Sequence, residues 1–314
     1  MNPQTPNSRK PSKGVASIAA VTAGAAFGVG ATVSQVVAGY GVPISYVTVA
    51  QFLAGVVMLG LLVAVKFHEF PPAKDIAKLL GIGLLSPLSA ITYYYAISYL
   101  SVGQAVAIQF QYVWIAVVIQ CIVERSRPSP RMVVSTVCII LGTLLAAGIV
   151  DDVLGSGGGA PFNLVGAGLA VACAVSYAVF IYLNGKVATE THPVTRSFVM
   201  VISGACLVSV LFGDFFVTAI SFGAPLLAGG ASLGLLSLML PALCLSMAGR
   251  ALPGGLVAIF TTAELPAAVL SGCLILGDTT SILMVVGVAV VIASIAVPEL
   301  LDMRRPKHQL PPIT

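Results

Sequence analysis

A single acidic residue, Glu264, stands deep inside a long apolar run from Leu252 to Leu276. Two residues later, Pro266 must interrupt helical hydrogen bonding, which would free the carbonyl of Thr262 to bind a solute or water. A lone carboxyl group in apolar surroundings is costly to keep charged, so it must be protonated, hydrated in a cavity or paired with a cation. An acid in this setting indicates a binding or proton-transfer role. The alternative is a protonated glutamate that hydrogen-bonds between helices.

Polar and aromatic side chains at helical spacing could line the same site. At about 100° per residue, Glu264 shares one stripe with Thr261 and Ser271, and another apolar run contains glutamines and the single tryptophan. Amides and aromatic rings favour a zwitterionic or aromatic ligand, although hydrogen bonding between helices would use the same residues. The candidate binding residues are Glu264, Thr261, Ser271, Gln109, Gln111, Trp114, Tyr93 and Tyr94. Weaker candidates are Gln35, Gln51 and Tyr177.

The composition excludes a soluble protein. Of 314 residues, 58% are hydrophobic and 8% are charged, and the mean hydropathy is +1.04, whereas soluble domains have roughly 25% charged residues. The net charge of +4 does not indicate nucleic-acid binding, because the basic residues are distributed over short loops. The six cysteines have no metal-ligand spacing. We therefore expect no metal, cofactor or catalytic centre, and an all-α polytopic membrane protein.

Ten apolar runs reach the roughly 20 residues that a membrane span needs. With the N-terminus inside, all 15 Lys and Arg residues fall on the cytoplasmic side, as the positive-inside rule requires. The pattern predicts two cytoplasmic termini and, with the chain length, a bacterial inner membrane. The predicted spans are 15–38, 44–65, 79–98, 103–123, 132–150, 163–183, 195–213, 226–249, 254–276 and 280–297.

Landmarks in the first half of the chain recur in the second half. Pro87 pairs with Pro241 and Glu124 pairs with Asp278, both at a spacing of 154 residues. Because five spans is an odd number, the second half must enter the membrane inverted, which is the architecture of many secondary transporters. The predicted units are a cytoplasmic tail 1–14, a first five-helix repeat 15–150, an outer linker 151–162, a second repeat 163–298 and a tail 299–314.

Three stretches of the sequence resemble a known group: residues 95–108, residues 248–259 and the run from Glu264 to Asp278. In these stretches the chain is similar to the EamA type of the drug/metabolite transporter superfamily. It differs from that pattern at Gly277-Asp278, where Gly-Glu is usual, and at Tyr112-Val113, where a proline is common. The second difference predicts that the proline break occurs only in the second half. On the spacing of 154 residues, the counterpart of Glu264 in the first half is Phe110.

The resemblance implies a secondary active transporter, and export of small metabolites is the leading expectation. Amino acids or related amphipathic compounds would move by alternating access, with protons as the possible coupling ion. The alternatives are a multidrug or toxic-compound efflux pump and a membrane scaffold or sensor without flux. The expected partners are a small-molecule substrate and the lipid bilayer, without nucleic acid, and the protein would be a monomer or a homodimer. Substrate identity, direction and coupling ion stay open.

Overall fold

A computed structural model of the protein describes residues 11–148 and 163–303, and helices are the only regular secondary structure in these ranges. The predicted linker 151–162 and most of both predicted tails lie outside the described residues. In the described residues, five long helical segments precede this gap and five follow it.

Within the described ranges the helices follow one another as ten segments, some of which are interrupted. The first five are α1 (Lys13–Gly39), α2 (Ile44–Val65), α3 (Ala73–Gly83 and Leu85–Ala96), α4 (Val102–Gln109 and Tyr112–Val123) and α5 (Pro130–Ala146). The second five are α6 (Leu164–Asn184), α7 (Pro193–Leu211), α8 (Gly223–Leu233, a π-helical turn Gly234–Met239, and Leu240–Ala248), α9 (Gly254–Thr261, Glu264–Ser271 and a π-helical turn Gly272–Leu276) and α10 (Ile282–Met303).

These bounds agree with the predicted spans to within a few residues, except at the start of α3 and at the end of α10, which continues to Met303 rather than to residue 297. Helix α3 begins at Ala73 rather than at residue 79, because its first turns are amphipathic and Lys78 pairs with Asp75 at 2.9 Å. The apolar criterion therefore missed the polar start of the helix. Before α8, a short helical segment Phe215–Thr218 continues as a 3₁₀ turn, and the chain then reverses at Gly223, which has a φ of 51°.

Local signals in the sequence explain where several helices begin and end. Ser101 forms a capping box with Gln104 at the start of α4, and Ser129 caps α5 in front of a proline at the first helical position. These side chains satisfy backbone N–H groups that have no partner inside the helix. Gly277 ends α9 with a φ of 75°, a left-handed conformation that glycine adopts without strain.

The outside of the bundle is apolar, as expected for a surface in contact with lipid. Eight helical segments are long and apolar enough to cross a membrane, while α5 and residues 282–296 of α10 are apolar but shorter. Large side chains such as Val65, Val210 and Leu274 are at least 80% exposed. A soluble protein rarely exposes so much contiguous apolar surface. The chain is an all-helical, polytopic membrane protein.

The two halves pack as an inverted repeat. Helix α1 packs against α9 as α6 packs against α4, and the pairs α2–α7 and α5–α10 each join equivalent helices of the two halves. The ends of the helices alternate between two faces. We call the face on which α1 begins the basic side, because every described Lys and Arg lies towards it, and the other face the opposite side.

Candidate functional site

Helices α4 and α9 are both interrupted in the middle, at equivalent positions. In each helix an eight-residue segment is followed by a two-residue break, and the helix resumes at Tyr112 in α4 and at Glu264 in α9, 152 residues apart. The proline stands in the second half alone, as the sequence predicts, but α4 breaks at the equivalent position without one. The structural counterpart of Glu264 is Tyr112 rather than residue 110.

Short 3₁₀-type hydrogen bonds close both breaks. The N–H of Val113 donates to the Phe110 carbonyl at 3.3 Å, and the N–H of Leu265 donates to the Thr262 carbonyl at 3.1 Å. The carbonyl that Pro266 was expected to free thus already accepts a bond from the backbone. Pro266 supplies no donor to this carbonyl, and the tighter turn provides a local one instead.

A cavity of about 300 Å³ lies beside these breaks and extends towards the opposite side. Helices α1, α2, α3, α4, α6, α8 and α9 all contribute to its wall. Its apolar lining includes Phe27, Phe52 and Leu238. Its polar lining consists of Ser34, Gln51, Ser86, Ser89, Tyr93, Gln109, Cys173, Tyr177, Ser237 and Glu264.

Glu264 is the one charged residue among those that line this cavity in the described part of the chain. It begins the second segment of α9 and is half-buried. Its carboxyl group lies close enough to the side chains of Tyr93, Tyr112 and Tyr177 to interact electrostatically with each of them. No described side chain forms an ion pair with it. The cavity therefore presents an acid without a fixed counter-ion.

Two glycines of α1 place the backbone of α9 at this depth. A Cβ atom at Gly24 would overlap the Thr261 carbonyl, and one at Gly28 would overlap the Glu264 carbonyl. Close approach of two helices at glycine is common in membrane proteins, because it increases the packing contact between backbones. The Glu264 backbone is consequently held against α1 while its side chain faces the cavity.

Three of the eight residues predicted from the sequence meet at this cavity, namely Glu264, Gln109 and Tyr93. Thr261 is fully buried and donates to the Ala258 carbonyl at 2.9 Å, so it accepts from the Tyr112 hydroxyl at 3.2 Å.

The other four predicted residues also lie away from the cavity wall. Ser271 is buried and shares a 2.6 Å hydrogen bond with Thr32 of α1. Gln111 accepts from the Trp114 indole at 2.9 Å, and Trp114 is 42% exposed. The ring of Tyr94 packs edge-on against Tyr95. Ser271 and Tyr94 are therefore used in packing, and Gln111 is bound to the outward-facing Trp114.

Sequence reasoning missed a polar stripe on α3 and a serine on α8. Ser86 and Ser89 lie on the same face of α3 as Tyr93, at the i, i+3, i+7 spacing that a helical stripe shows. This spacing could have identified the two serines from the sequence. Ser237 lies within the π-helical turn of α8, where an extra residue per turn redirects side chains. The sequence pattern contains no comparable signal for it.

On the basic side the cavity is closed, because α4 and α9 pack against each other there. The N–H of Gly255 donates to the Gln120 side-chain oxygen at 2.8 Å, and the Tyr112–Thr261 hydrogen bond lies one level deeper. At the ends of α6 and α8, the backbones of Gly185 and Gly249 are in contact. On the opposite side, by contrast, the cavity separates the two helices.

Arg196 also belongs to the closed side. The charge pattern assigns it to the cytoplasmic side with the other basic residues, and in the structure it lies in the first turns of α7 with 0% exposure. Its guanidinium donates to the carbonyls of Asn184 and Ser246, at the ends of α6 and α8. The C-terminal ends of helices carry partial negative charge and so attract a cation. Arg196 therefore ties α6, α7 and α8 together without a described acidic partner.

A salt bridge spans the surface above this closure. The Lys186 ammonium donates to the Glu124 carboxylate at 2.6 Å, connecting the loop after α6 to the end of α4. The hydrogen bond to Glu124 raises the pKa of Lys186. Both residues line a shallow, polar depression together with Arg250. Because both side chains are about one-third to one-half exposed, the pair contributes little to stability but joins two helices that meet at the closed side.

Comparison with known proteins relates both the sequence and the fold to others. Residues 14–148, which comprise α1 to α5, match the EamA-like transporter family. A solved protein crystal structure aligns with 94% of this chain and 99% of its own, with a TM-score of 0.68 and 16% sequence identity. At that identity the likeness establishes the fold alone. No curated protein matches the sequence.

Proposed function

We propose that the protein is a secondary active exporter of small metabolites that carry an ammonium group, on the basis that residues 14–148 match the EamA-like transporter family of the drug/metabolite transporter superfamily. Amino acids and related amphipathic amines are the first candidates. Transport proceeds by alternating access, and protons supply the driving force. The observation that carries this proposal is a single carboxyl group, Glu264, at a cavity without a basic residue among its described lining.

The chemistry of the cavity favours a cationic group next to Glu264. A carboxylate in a confined, weakly polar cavity gains more from a cation than it would in water. Without a fixed counter-ion, Glu264 binds either a proton or the ammonium group of a substrate, and the two compete for one site. Gln51 and Gln109 offer amide donors that suit a substrate carboxylate or hydroxyl, and the Tyr93 ring offers an aromatic surface.

The size of the cavity favours a small solute over a bulky drug. Its volume is about 300 Å³, at the lower end of the roughly 300–1,000 Å³ typical of small-molecule pockets. A scaffold or sensor without flux would be expected to have a dry, closely packed interior at Glu264. The cavity beside this residue argues against that alternative.

Transport into proteoliposomes with a pH gradient tests the proposal. Radiolabelled amino acids and simple primary amines serve as probes, and we expect that Glu264→Gln abolishes flux driven by the pH gradient, because the amide neither releases a proton nor pairs with ammonium. Asp278→Asn is the matched control, since it removes an exposed carboxyl just beyond α9 and outside the cavity.

Undiminished, still pH-dependent flux in Glu264→Gln would remove this residue from the mechanism. Flux of large cationic dyes in preference to amino acids and simple amines would favour the multidrug alternative. Vesicles of defined orientation give the direction of net transport, and we expect movement from the basic side to the opposite side.

A further inference from the structure

The equivalence of α4 and α9 relates individual residues as well as helices. Residues 152 positions apart occupy the same place relative to the break, so Glu264 corresponds to Tyr112 and Gln109 corresponds to Thr261. Tyr112 and Thr261 are hydrogen-bonded on the closed side, and both are fully buried. Their counterparts Glu264 and Gln109 both line the cavity, one on α9 and one on α4.

In an inverted repeat, exchanging the conformations of the two halves converts a chain that is open on one side into a chain that is open on the other. The segments Tyr112–Val123 and Gly254–Thr261 now pack together on the basic side. After the exchange, the segments Val102–Gln109 and Glu264–Ser271 pack together on the opposite side. The contact that replaces Tyr112–Thr261 is then between Glu264 and Gln109.

We propose that Gln109 is the positioning residue for Glu264, and that the two side chains form the hydrogen bond that closes the opposite side during the transport cycle. This inference rests on the proposed function, because it assigns a role in alternating access. It also gives Thr261 a role in the same cycle. Buried in the present conformation, Thr261 becomes part of the cavity wall when the basic side opens.

The chemistry of the Gln109–Glu264 pair makes closure of the opposite side depend on whether Glu264 has bound a proton or a substrate. A glutamine amide donates to a carboxylate and accepts from a protonated carboxylic acid, so Gln109 can bind Glu264 in either state. The contact it replaces is fully buried, and a buried carboxylate without a counter-ion is costly. Closure is therefore favourable when Glu264 has bound a proton or an ammonium group, and unfavourable when its site is empty and charged. This difference prevents the transporter from changing conformation when Glu264 is charged and has bound neither a proton nor a substrate.

Placing a second carboxylate in the cavity tests this pairing. Gln109→Glu would force two carboxylates together whenever the opposite side closes, whereas Gln111→Glu adds the same group to the same helix outside the cavity lining, where its oxygen still accepts from the Trp114 indole. The reporter is a Thr261→Cys thiol in a full-length chain whose six native cysteines are replaced by alanine. It is labelled from the basic side by a membrane-impermeant maleimide, and its labelling rate measures opening of that side.

We expect Gln109→Glu to lower the labelling rate about tenfold at neutral pH, and acidification to restore it as the carboxyls become protonated. Gln111→Glu should leave the rate near that of the parent chain. Equal rates in the two variants overturn the proposal. The labelling experiment requires no transported solute. A parent chain that shows no flux would therefore refute the proposed function, whereas the labelling rates of the two variants would still decide whether Gln109 pairs with Glu264.

Cross-linking provides a second measurement that does not depend on the added charge. In the cysteine-free background, the pair Gln109→Cys and Glu264→Cys should form a disulfide under mild oxidation, detected by mass spectrometry of the linked peptides. The control pair, Gln51→Cys with Glu264→Cys, should not, because a disulfide needs Cα atoms within about 7 Å. Absence of the first cross-link, or equal yields of both, would contradict the proposed contact.

Discussion

The buried Arg196 gives a sharp test of what holds the basic side closed. Its guanidinium reaches carbonyls at the ends of two helices at once. In Arg196→Lys the charge stays, but one ammonium group on a shorter stem does not span both acceptors. Each hydrogen bond to a charged group contributes about 1.5–3 kcal/mol, and an orphaned buried carbonyl costs a similar amount. We therefore expect a loss of about 2–3 kcal/mol, or roughly 5 °C in melting temperature for a chain of this size.

Thermal unfolding in detergent, followed by the fluorescence of the single tryptophan Trp114, measures this loss. Arg250→Lys is the matched control, because Arg250 lies on the same side, is only partly buried and has no hydrogen bond between its side chain and the described residues. The control should change the melting temperature by less than about 1 °C. If Arg196→Lys changed it equally little, the two helix-end bonds would not contribute to closure and the reasoning would be refuted.

Two further predictions concern helix packing and pH. Gly28→Ala should lower stability by about 1–3 kcal/mol and reduce flux, because its Cβ would overlap the Glu264 carbonyl and force α1 from α9. His192→Asn should remove a decrease in melting temperature that begins as the pH falls below about 6.5. Burial, and then the charge of Arg250, lower the pKa of His192, so its stabilising contribution is complete above the unfolded pKa and is lost as the pH falls through the folded one.

Each of these variants has a control in the chain. Gly14→Ala adds the same methyl group to α1 at a position where a Cβ meets nothing within 4 Å, and an equal loss of stability there would contradict the packing argument. Asparagine keeps a side-chain acceptor like the His192 ring nitrogen, which accepts from the Val194 N–H at 3.3 Å. If the pH dependence of the melting temperature were unchanged in His192→Asn, another group would be responsible.

The helices and their order could be predicted because the relevant physics is local. Apolar runs of membrane length are separated by proline, glycine or charge, and the distribution of basic residues sets their number. The break in α4 could not be predicted, because no proline marks it. Three-dimensional packing against α6 and α9 stabilises that turn, and such contacts leave no signature in a uniformly apolar segment.

Which side chains face the cavity was predictable only in part. Glu264 was identifiable because a charge in an apolar run is costly wherever it points. Trp114 was not, since an apolar side chain is equally acceptable in lipid and in the protein interior, and depth alone does not determine its direction. The burial of Arg196 was not predictable for a related reason. Its acceptors are carbonyls of two other helices, and backbone atoms give no sequence signal.

A site with one acid and no base also determines how transport would respond to voltage. If a monovalent amine leaves on Glu264 and a proton returns on it, the site is neutral in both directions, and no net charge crosses the membrane. A zwitterionic amino acid adds its own carboxylate, so one negative charge would move with each substrate and experience about 2.3 kcal/mol per 100 mV. We therefore expect a transport current with amino acids and none with simple amines, and an electrical recording distinguishes the two substrate classes.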